Sequence, residues 1–600
     1  MNALAVASRS PLAHGGIVAA VAVIPVAAIA VVALASIVMG AASLRWSRTT
    51  SDFLVASRSV RPGLNAAAIC GEYLSAGTFL GLGGLVLVFG VDMLWYPVGY
   101  TAGYLVLLFF VAAPLRRFGA YTIPEFAEGR LASTALRRLA AIFVLIIGSL
   151  YLMPQMKGAG LTIRTLTGAP FWVGVVLVGV IVTGNVAIGG MRGVTFVQAF
   201  QYGVKVIAIS VPALVLLGVT LSRGVDAGEL FRDGPPVVRE TTSIRIPASS
   251  QMQTSRAVEL DDGERIRTIP PGRTDVFAGQ RIVLEAGQPL PTFSAAKRAD
   301  GPAWMRPFRS GGSGRSHPLY AAISVVLATF LGTMGLPHIL VRFYTNPDGP
   351  ATRRTIRVVL ALLAIYYVWP PVYGVLGRYW SPELLAGRET DGVVLQLPSR
   401  VVGGRPGQIL TGLVSAGAFA AFLSTASGLL VSVAGAIGYD LTRSSGSPRR
   451  RRDIGDVGRF RVAAVGAGAV AIILGLSMRS FALNQAVGWS FAIAASSFCP
   501  LLLLGIWWPR LTARGAAAGM LVGGGLCVGA ILFNLLGPAI GGWPGALLGQ
   551  PAAWTVPLAF ATAVTTSIVD RASLDPDHAR RILAQMHTPE PLRRATDLPR

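Results

Sequence analysis

The sequence predicts an all-α integral membrane protein of thirteen transmembrane helices, built around two inverted five-helix repeats. Three observations predict it. The 600 residues are 53% hydrophobic and only 13% charged, where a soluble domain carries about 25% charge. Apolar stretches recur from Ile17 to Val569, each near the ~20 residues that cross a ~30 Å hydrocarbon core. Two of these stretches, five apart in order, are interrupted by glycine and proline.

The stretches lie at 17–43, 64–90, 92–113, 136–156, 170–190, 196–220, 318–341, 357–377, 408–438, 460–478, 482–506, 514–536 and 553–570. The first is longer than a signal-peptide core of roughly 7–15 residues and is read as a true span. Basic residues in short loops stay in the cytoplasm. An outside N-terminus puts about 23 of them in inner loops, including Arg45, Arg116, Arg192, Arg342, Arg443 and Arg510, against about 8 in short outer segments. The odd span count then leaves the tail inside. Residues 221–317 are polar and proline-rich and face outward by this count. Hairpins are expected over Val258 to Ile266, around Asp261-Asp262-Gly263, and over Val276 to Leu284, around Ala278-Gly279. The insertion is therefore either a small β-rich unit or a largely disordered loop.

This divides the chain into an N-terminal span and first cytoplasmic loop (1–63), a first five-helix repeat (64–220), the extracellular insertion (221–317) and a second repeat (318–506). Two peripheral spans (507–570) and a cytoplasmic tail (571–600) follow. An odd number of helices per repeat inverts the second relative to the first.

The net charge of +24 does not indicate nucleic acid, because the basic residues sit between spans rather than on one face. Nearly all are arginine, with lysine only at Lys157, Lys205 and Lys297. Cys70, Cys499 and Cys527 each fall inside an apolar stretch and are read as buried thiols. Zinc-protease, nucleophile-elbow, Walker A and dinucleotide motifs are missing from the sequence, so no enzymatic activity and no ATP-driven pumping by this chain alone is expected.

The interruptions carry the functional expectation. The second stretch reads Cys70-Gly71-Glu72-Tyr73-Leu74-Ser75-Ala76-Gly77-Thr78-Phe79, and the seventh reads Gly332-Thr333-Met334-Gly335-Leu336-Pro337-His338. Glycine and proline loosen the helix there. Backbone groups freed inside a membrane must line a cavity or bind something. Paired breaks at corresponding positions of inverted repeats point to a midplane site of a secondary transporter.

The sequence resembles the sodium:solute symporters, most closely the cation/acetate (monocarboxylate) symporters. Four segments carry the resemblance: Gly71 to Ala76, Gly189 to Thr195 with Gln198, Gly335 to Thr345, and Ala421 to Leu430. The resemblance covers about residues 50–510 apart from the insertion, and it implies a LeuT-like 5+5 core with sodium as coupling ion, protons being the alternative. By motif, it implies a Na⁺ site made of the carbonyls of Gly71, Leu74 and Ala421 and the hydroxyls of Ser424 and Thr425. A hard cation suits such neutral oxygens. Glu72, where the acetate-symporter pattern has aspartate, either tunes the cation site, exchanges a proton or serves as a structural partner.

The expected cargo is a small monocarboxylate such as acetate, propionate or pyruvate, carried through the cell membrane. Half-helix N-termini would hold its carboxylate. Candidate lining residues are Ser75, Gly77, Thr78, Phe79, Thr333 and Met334. The alternatives are another solute (proline, pantothenate or a sugar), a passive channel, or a membrane sensor on a symporter scaffold. His338 and Arg342 either cap the inner end of their span and anchor it or act in gating. Lys205 either snorkels to an interface or pairs within the bundle.

Overall fold

The computed structural model describes residues 11–42, 60–232, 234–263, 265–294, 298–308, 317–387, 390–441, 453–477, 483–538 and 540–589. Helices dominate because only intrasegment hydrogen bonding satisfies an apolar backbone away from water. The first half contains α1 (Pro11–Ala42), α2 (Pro62–Tyr73), α3 (Leu82–Phe89), α4 (Trp95–Val106), α5 (Ala112–Phe118), α6 (Ile123–Leu131), α7 (Thr134–Thr167), α8 (Phe171–Ser222) and the short α9 (Ala227–Leu230). After the insertion, which ends with α10 (Pro302–Met305), come α11 (Pro318–Thr333), α12 (Pro337–Tyr344), α13 (Gly349–Tyr367), α14 (Trp369–Trp380), α15 (Val393–Val402) and α16 (Gly404–Gly435). The chain continues through α17 (Asp453–Ser477), α18 (Leu483–Trp507), α19 (Ala513–Leu536), α20 (Gly542–Gly549), α21 (Ala552–Val569) and α22 (Pro576–His587).

Among the described residues, twelve helical segments are long and apolar enough to cross a bilayer, one fewer than the thirteen expected. The difference lies at 64–90 and 92–113: the first begins on α2, and its later half runs on with the second as the segment Gly77–Phe118. No polar loop separates them. A 3₁₀ turn, Gly90–Leu94, joins α3 to α4, with Gly90 at φ +70°, a conformation that costs glycine little. The fifth and sixth spans run on as the single 52-residue helix α8. The loop arginines Arg45 and Arg443 and the side chain of Arg192 lie outside the described residues, as does Lys297.

Burial ranks the helices. The spans containing α16 and α18 are 89% buried, against 33% for α21 at the periphery. Exposed aliphatics such as Val462, Ile473 and Leu536 form the outer surface expected of a lipid-facing body. All three cysteines are buried and free.

Both predicted breaks are present, and each turns on an extended residue. Leu74 follows α2 at φ −78°, ψ 91°, and a π-helical turn, Gly77–Gly81, resumes the helix toward α3. Leu336, at φ −75°, ψ 115°, separates α11 from α12. Proline at 337 fits the first position of the new helix, where its missing N–H costs nothing.

The insertion is β-rich. One antiparallel sheet has the order β1 (Thr242–Arg245), β6 (Arg281–Leu284), β3 (Val258–Asp261), β4 (Ile266–Ile269), and a second has the order β5 (Gly272–Val276), β2 (Ser250–Thr254), β7 (Thr292–Phe293). The β3–β4 hairpin turns at Asp262 and Gly263 as expected, with Val258 opposite Ile269. The second expected hairpin does not form: β5 pairs with β2, whereas β6 pairs with β1 and β3. Tertiary pairing overrides the local turn signal.

A strap from the insertion seals that end of the helical body. The Trp304 indole donates to Val86 O at 2.8 Å, Ala299 N donates to Val88 O at 2.9 Å, and Asp300 bridges Arg378 at 2.9 Å and Arg298 at 2.8 Å. At the opposite end, Arg137 ties Glu128 to Asp440 at 2.8 and 3.0 Å.

Candidate functional site

The break at Leu74 exposes two carbonyls in the interior. Gly71 lets α2 press onto α8: a side chain there would collide with the carbonyl of Gln198. This contact brings Lys205 of α8 beneath the freed backbone. Its ammonium donates to Gly71 O, to Leu74 O at 2.7 Å and to Ser424 Oγ on α16 at 2.6 Å. Each is a charge-assisted bond worth about 1.5–3 kcal/mol, set against the desolvation of a fully buried lysine.

Three of the five expected sodium ligands, Gly71, Leu74 and Ser424, therefore converge, but on Lys205. The other two are engaged nearby. The Ser424 hydroxyl donates to Ala421 O at 3.1 Å, and Thr425 Oγ1 donates to Glu72 O at 2.6 Å. With the ammonium in place these oxygens do not fit a sodium ion: two unit charges ~4 Å apart repel by about 4 kcal/mol at an effective dielectric of ~20. Lys205 does not snorkel. It pairs within the bundle, on three of the oxygens expected to hold the cation.

Glu72, one residue after Gly71, faces the other way. Its carboxylate accepts from Arg342 Nε at 2.6 Å, both side chains being fully buried. Arg342 also donates to Thr195 Oγ1 at 2.7 Å and to Gln198 Oε1, and Gln198 Nε2 donates to Ser424 O at 2.8 Å. Gly428 leaves room for the acid, since a side chain there would overlap the Glu72 carboxylate. Of the readings open for Glu72, the structure displays the structural partner. Arg342 is not an interface anchor: it sits at the junction of α2, α8, α12 and α16. The four segments that carried the resemblance meet at this junction.

Beside it, between the two breaks, lies a cluster of linked rings. Phe491 of α18 is 4.9 Å from Tyr100, 6.0 Å from Tyr73 and 5.9 Å from Tyr151 between ring centroids. Tyr73 lies 5.0 Å from Tyr104, and Tyr100 lies 6.2 Å from Tyr367. His338, at the start of α12, packs edge-on to Tyr151 at 5.4 Å. It is buried and does not cap the inner end of its span. Among the described residues, the hydroxyls of Tyr104 and Tyr367, Asn484 Nδ2 and both ring nitrogens of His338 have no hydrogen-bond partner. Buried polar groups are normally satisfied.

The expected lining residues are distributed around this cluster. Thr333 Oγ1 lies 2.8 Å from the Tyr73 hydroxyl. Ser75 is buried at the break, and Thr78 Oγ1 donates to its carbonyl at 3.0 Å. Gly77 faces Asn484 and Val487, and Met334 is buried at the second break. Phe79 lies 6.4 Å from Tyr366, which lies 5.7 Å from Tyr367 of the cluster, and it also borders Gly417. Gln155 holds the broken segment open, with its Oε1 accepting from Ala76 N at 2.9 Å. Tyr100, Tyr151, Gln155, Asn484 and Phe491 escaped the sequence reading. Polar residues within apolar spans were the available signal. A cleft lined by Tyr121, Ile123, Val144, Pro337, Val341 and Asp440 reaches α12 from the end opposite the insertion.

A family model described as the sodium:solute symporter family matches residues 53–228 and 294–523, and the chain belongs to that family. The gap between the matches holds the strands of the insertion. The chain is a membrane-embedded solute symporter of a family that uses sodium as its coupling ion. It is 29% identical to an uncharacterized symporter of Cupriavidus necator over 86% of this chain and 88% of the relative. It is 27% identical to an uncharacterized symporter of Bacillus subtilis over 90% and 94% of the two chains. Its fold is similar to that of a Na⁺-coupled sialic acid symporter solved in a substrate-bound, outward-open state, with TM-score 0.59 and 16% identity over 90% of this chain and 98% of that one.

Proposed function

We propose that the protein carries a small monocarboxylate, such as acetate, propionate or pyruvate, into the cell by cation-coupled symport. The observation that supports this most is the set of unpartnered groups between the breaks. Tyr104 and Tyr367 hydroxyls, the Asn484 amide and a His338 N–H are donors, so they suit an acceptor-rich solute. A carboxylate satisfies several at once, and the surrounding rings accept a short apolar tail. Ser75, Gly77, Thr78, Phe79, Thr333 and Met334 complete the lining.

In this reading residues 64–220 and 318–506 are the two inverted repeats, the N-terminus and the insertion are outside, and the tail is inside. The oxygens of Gly71, Leu74, Ala421, Ser424 and Thr425 form the cation cage, and Glu72 fixes Arg342 behind it. The cleft beneath α12 is the inner exit. Coupling requires that cation and solute favour the same state.

Labelled acetate uptake into proteoliposomes, with imposed Na⁺ or proton gradients and unlabelled competitors, tests this. The expected result is accumulation above equilibrium that propionate suppresses and proline does not. Suppression by proline or a sugar would assign another cargo, and equilibration without accumulation under either gradient would make the protein a passive pathway.

A further inference from the structure

We propose that the insertion forms, where it meets the helical body, a second site for a small monocarboxylate, built on Arg239 and lying apart from the breaks. The inference rests on the symport reading above only for the shared solute, and on the pocket itself for everything else. The walls of this pocket come from two sources: residues between Glu229 and Arg239 at the neck of the insertion, and Arg378 and Tyr379 at the end of α14. The neck residues fall in the gap of the family match, so the pocket is made where this chain adds to the family core.

Arg239 is held ready for an anion. The backbone just before it is pinned: Leu290 N donates to Pro236 O and Val238 N to Gln288 O, both at 2.9 Å, and Gly287 N donates to Val238 O at 2.8 Å. The Arg239 Cζ lies 3.8 Å over the Tyr379 ring, and the Tyr379 hydroxyl donates to Glu229 Oε2 at 3.1 Å, which fixes the ring in turn. A ring face attracts a guanidinium without satisfying its N–H groups as a lone pair does. Among the described residues, Arg239 Nε is buried and has no hydrogen-bond partner, although buried donors are normally satisfied.

The charges select the ligand. Arg232, Arg239 and Arg378 face Glu229 across the described lining. Arg378 is matched by Asp300 at 2.9 Å, which leaves Arg232 and Arg239 against Glu229 alone, an excess of a single positive charge. Of the charges just outside, Asp226, which accepts the Glu229 amide at 2.8 Å, is opposed by Arg223, which lies 5.0 Å over the Trp380 ring. A monoanion balances the pocket, and the paired oxygens of a carboxylate match the fork of a guanidinium. Leu230, Pro235 and Pro236 make the remaining wall apolar, which suits a short hydrocarbon tail and does not suit phosphate or sulfate.

Chemical protection of the wild-type protein tests the site. Purified full-length protein is treated with p-hydroxyphenylglyoxal, which modifies accessible arginines, and modification is read peptide by peptide in a mass spectrometer. Acetate and propionate should slow modification of Arg239 several-fold relative to equal sodium chloride, propionate more than formate, and should leave the exposed Arg245 of β1 unaffected. No protection, or the same protection by chloride, would overturn the proposal. Stronger protection by phosphate than by acetate would overturn it too, as would formate protecting as well as propionate. Tyr379→Leu, which lacks the ring platform, should lose most of the protection, and full protection in that variant would contradict the site as drawn; if the variant does not fold, the wild-type comparisons still decide. Protection at Arg239 without acetate uptake would sink the cargo reading and keep the site, whereas acetate uptake without protection would keep the cargo reading and remove the site.

Discussion

At the residue scale, the Glu72–Arg342 pair carries a large stability effect. Both side chains are fully buried, so removing either one strands an unpaired charge, a loss of about 3–5 kcal/mol. Glu72→Leu and Arg342→Leu should each melt well below wild type in detergent, and the double variant should recover much of the difference. Additive losses in the double variant would show that the two residues are not acting as a pair. The expense of an acid within an apolar span was legible from sequence, but its partner was not, because Arg342 is 270 positions away and meets Glu72 only once α2 and α12 pack together. Lys205 was legible as an ionisable residue in an apolar stretch. Its role was not, because the motif names the oxygens of the cage and says nothing about what fills it.

Gln155 and Asp575 act at the element scale. Gln155 donates nothing to the break itself but accepts the Ala76 amide; Gln155→Leu leaves that buried donor unpaired, at about 1–3 kcal/mol. Solute affinity should fall by roughly 5- to 100-fold with the protein still folded, measured as half-saturation of acetate exchange. Unchanged affinity would remove Gln155 from the site.

Asp575 caps α22, accepting from the backbone amides of Asp577 and His578 at 3.0 Å. The His578 amide chiefly, with Asp577, holds its carboxyl below the usual carboxylate range, against a smaller desolvation effect. A depressed pKa means that the cap is in full force above the unfolded value of about 3.9 and is lost as pH falls through the folded one. Amide exchange in α22 should accelerate on acidification in wild type and less so in Asp575→Asn, whose cap does not titrate. Equal acceleration in both would refute the cap.

Hydropathy made most helices legible, and both breaks were read at the right residues. The boundary read between residues 90 and 92 falls on the turn Gly90–Leu94, which is short and contains no polar loop. The pairing of β5 with β2 was missed because strand partners depend on the whole insertion, not on the turn between neighbours.

At the scale of the whole molecule, the bundle is tied at both ends. The strap around Trp304 and Asp300 closes the insertion end, and Arg137 with Asp440 and Glu128 braces the other. Between them the ring cluster and the lysine cage share α2, the break after it and the helices behind. Removing the strap's anchor with Trp304→Ala should speed labelling of cysteines placed on α3 from the insertion side, and unchanged labelling would show that the strap does not control access.

The central claim is that the cage and the solute site are thermodynamically linked through the broken helix. Lys205 ties the segment at the break to α16, and linkage is reciprocal: a tie that favours the solute-binding state is favoured by solute in turn. The most direct test is the acetate dissociation constant of purified wild type and Lys205→Gln, measured by calorimetry. The account predicts weaker binding by the variant. Equal affinity in the two proteins would contradict it.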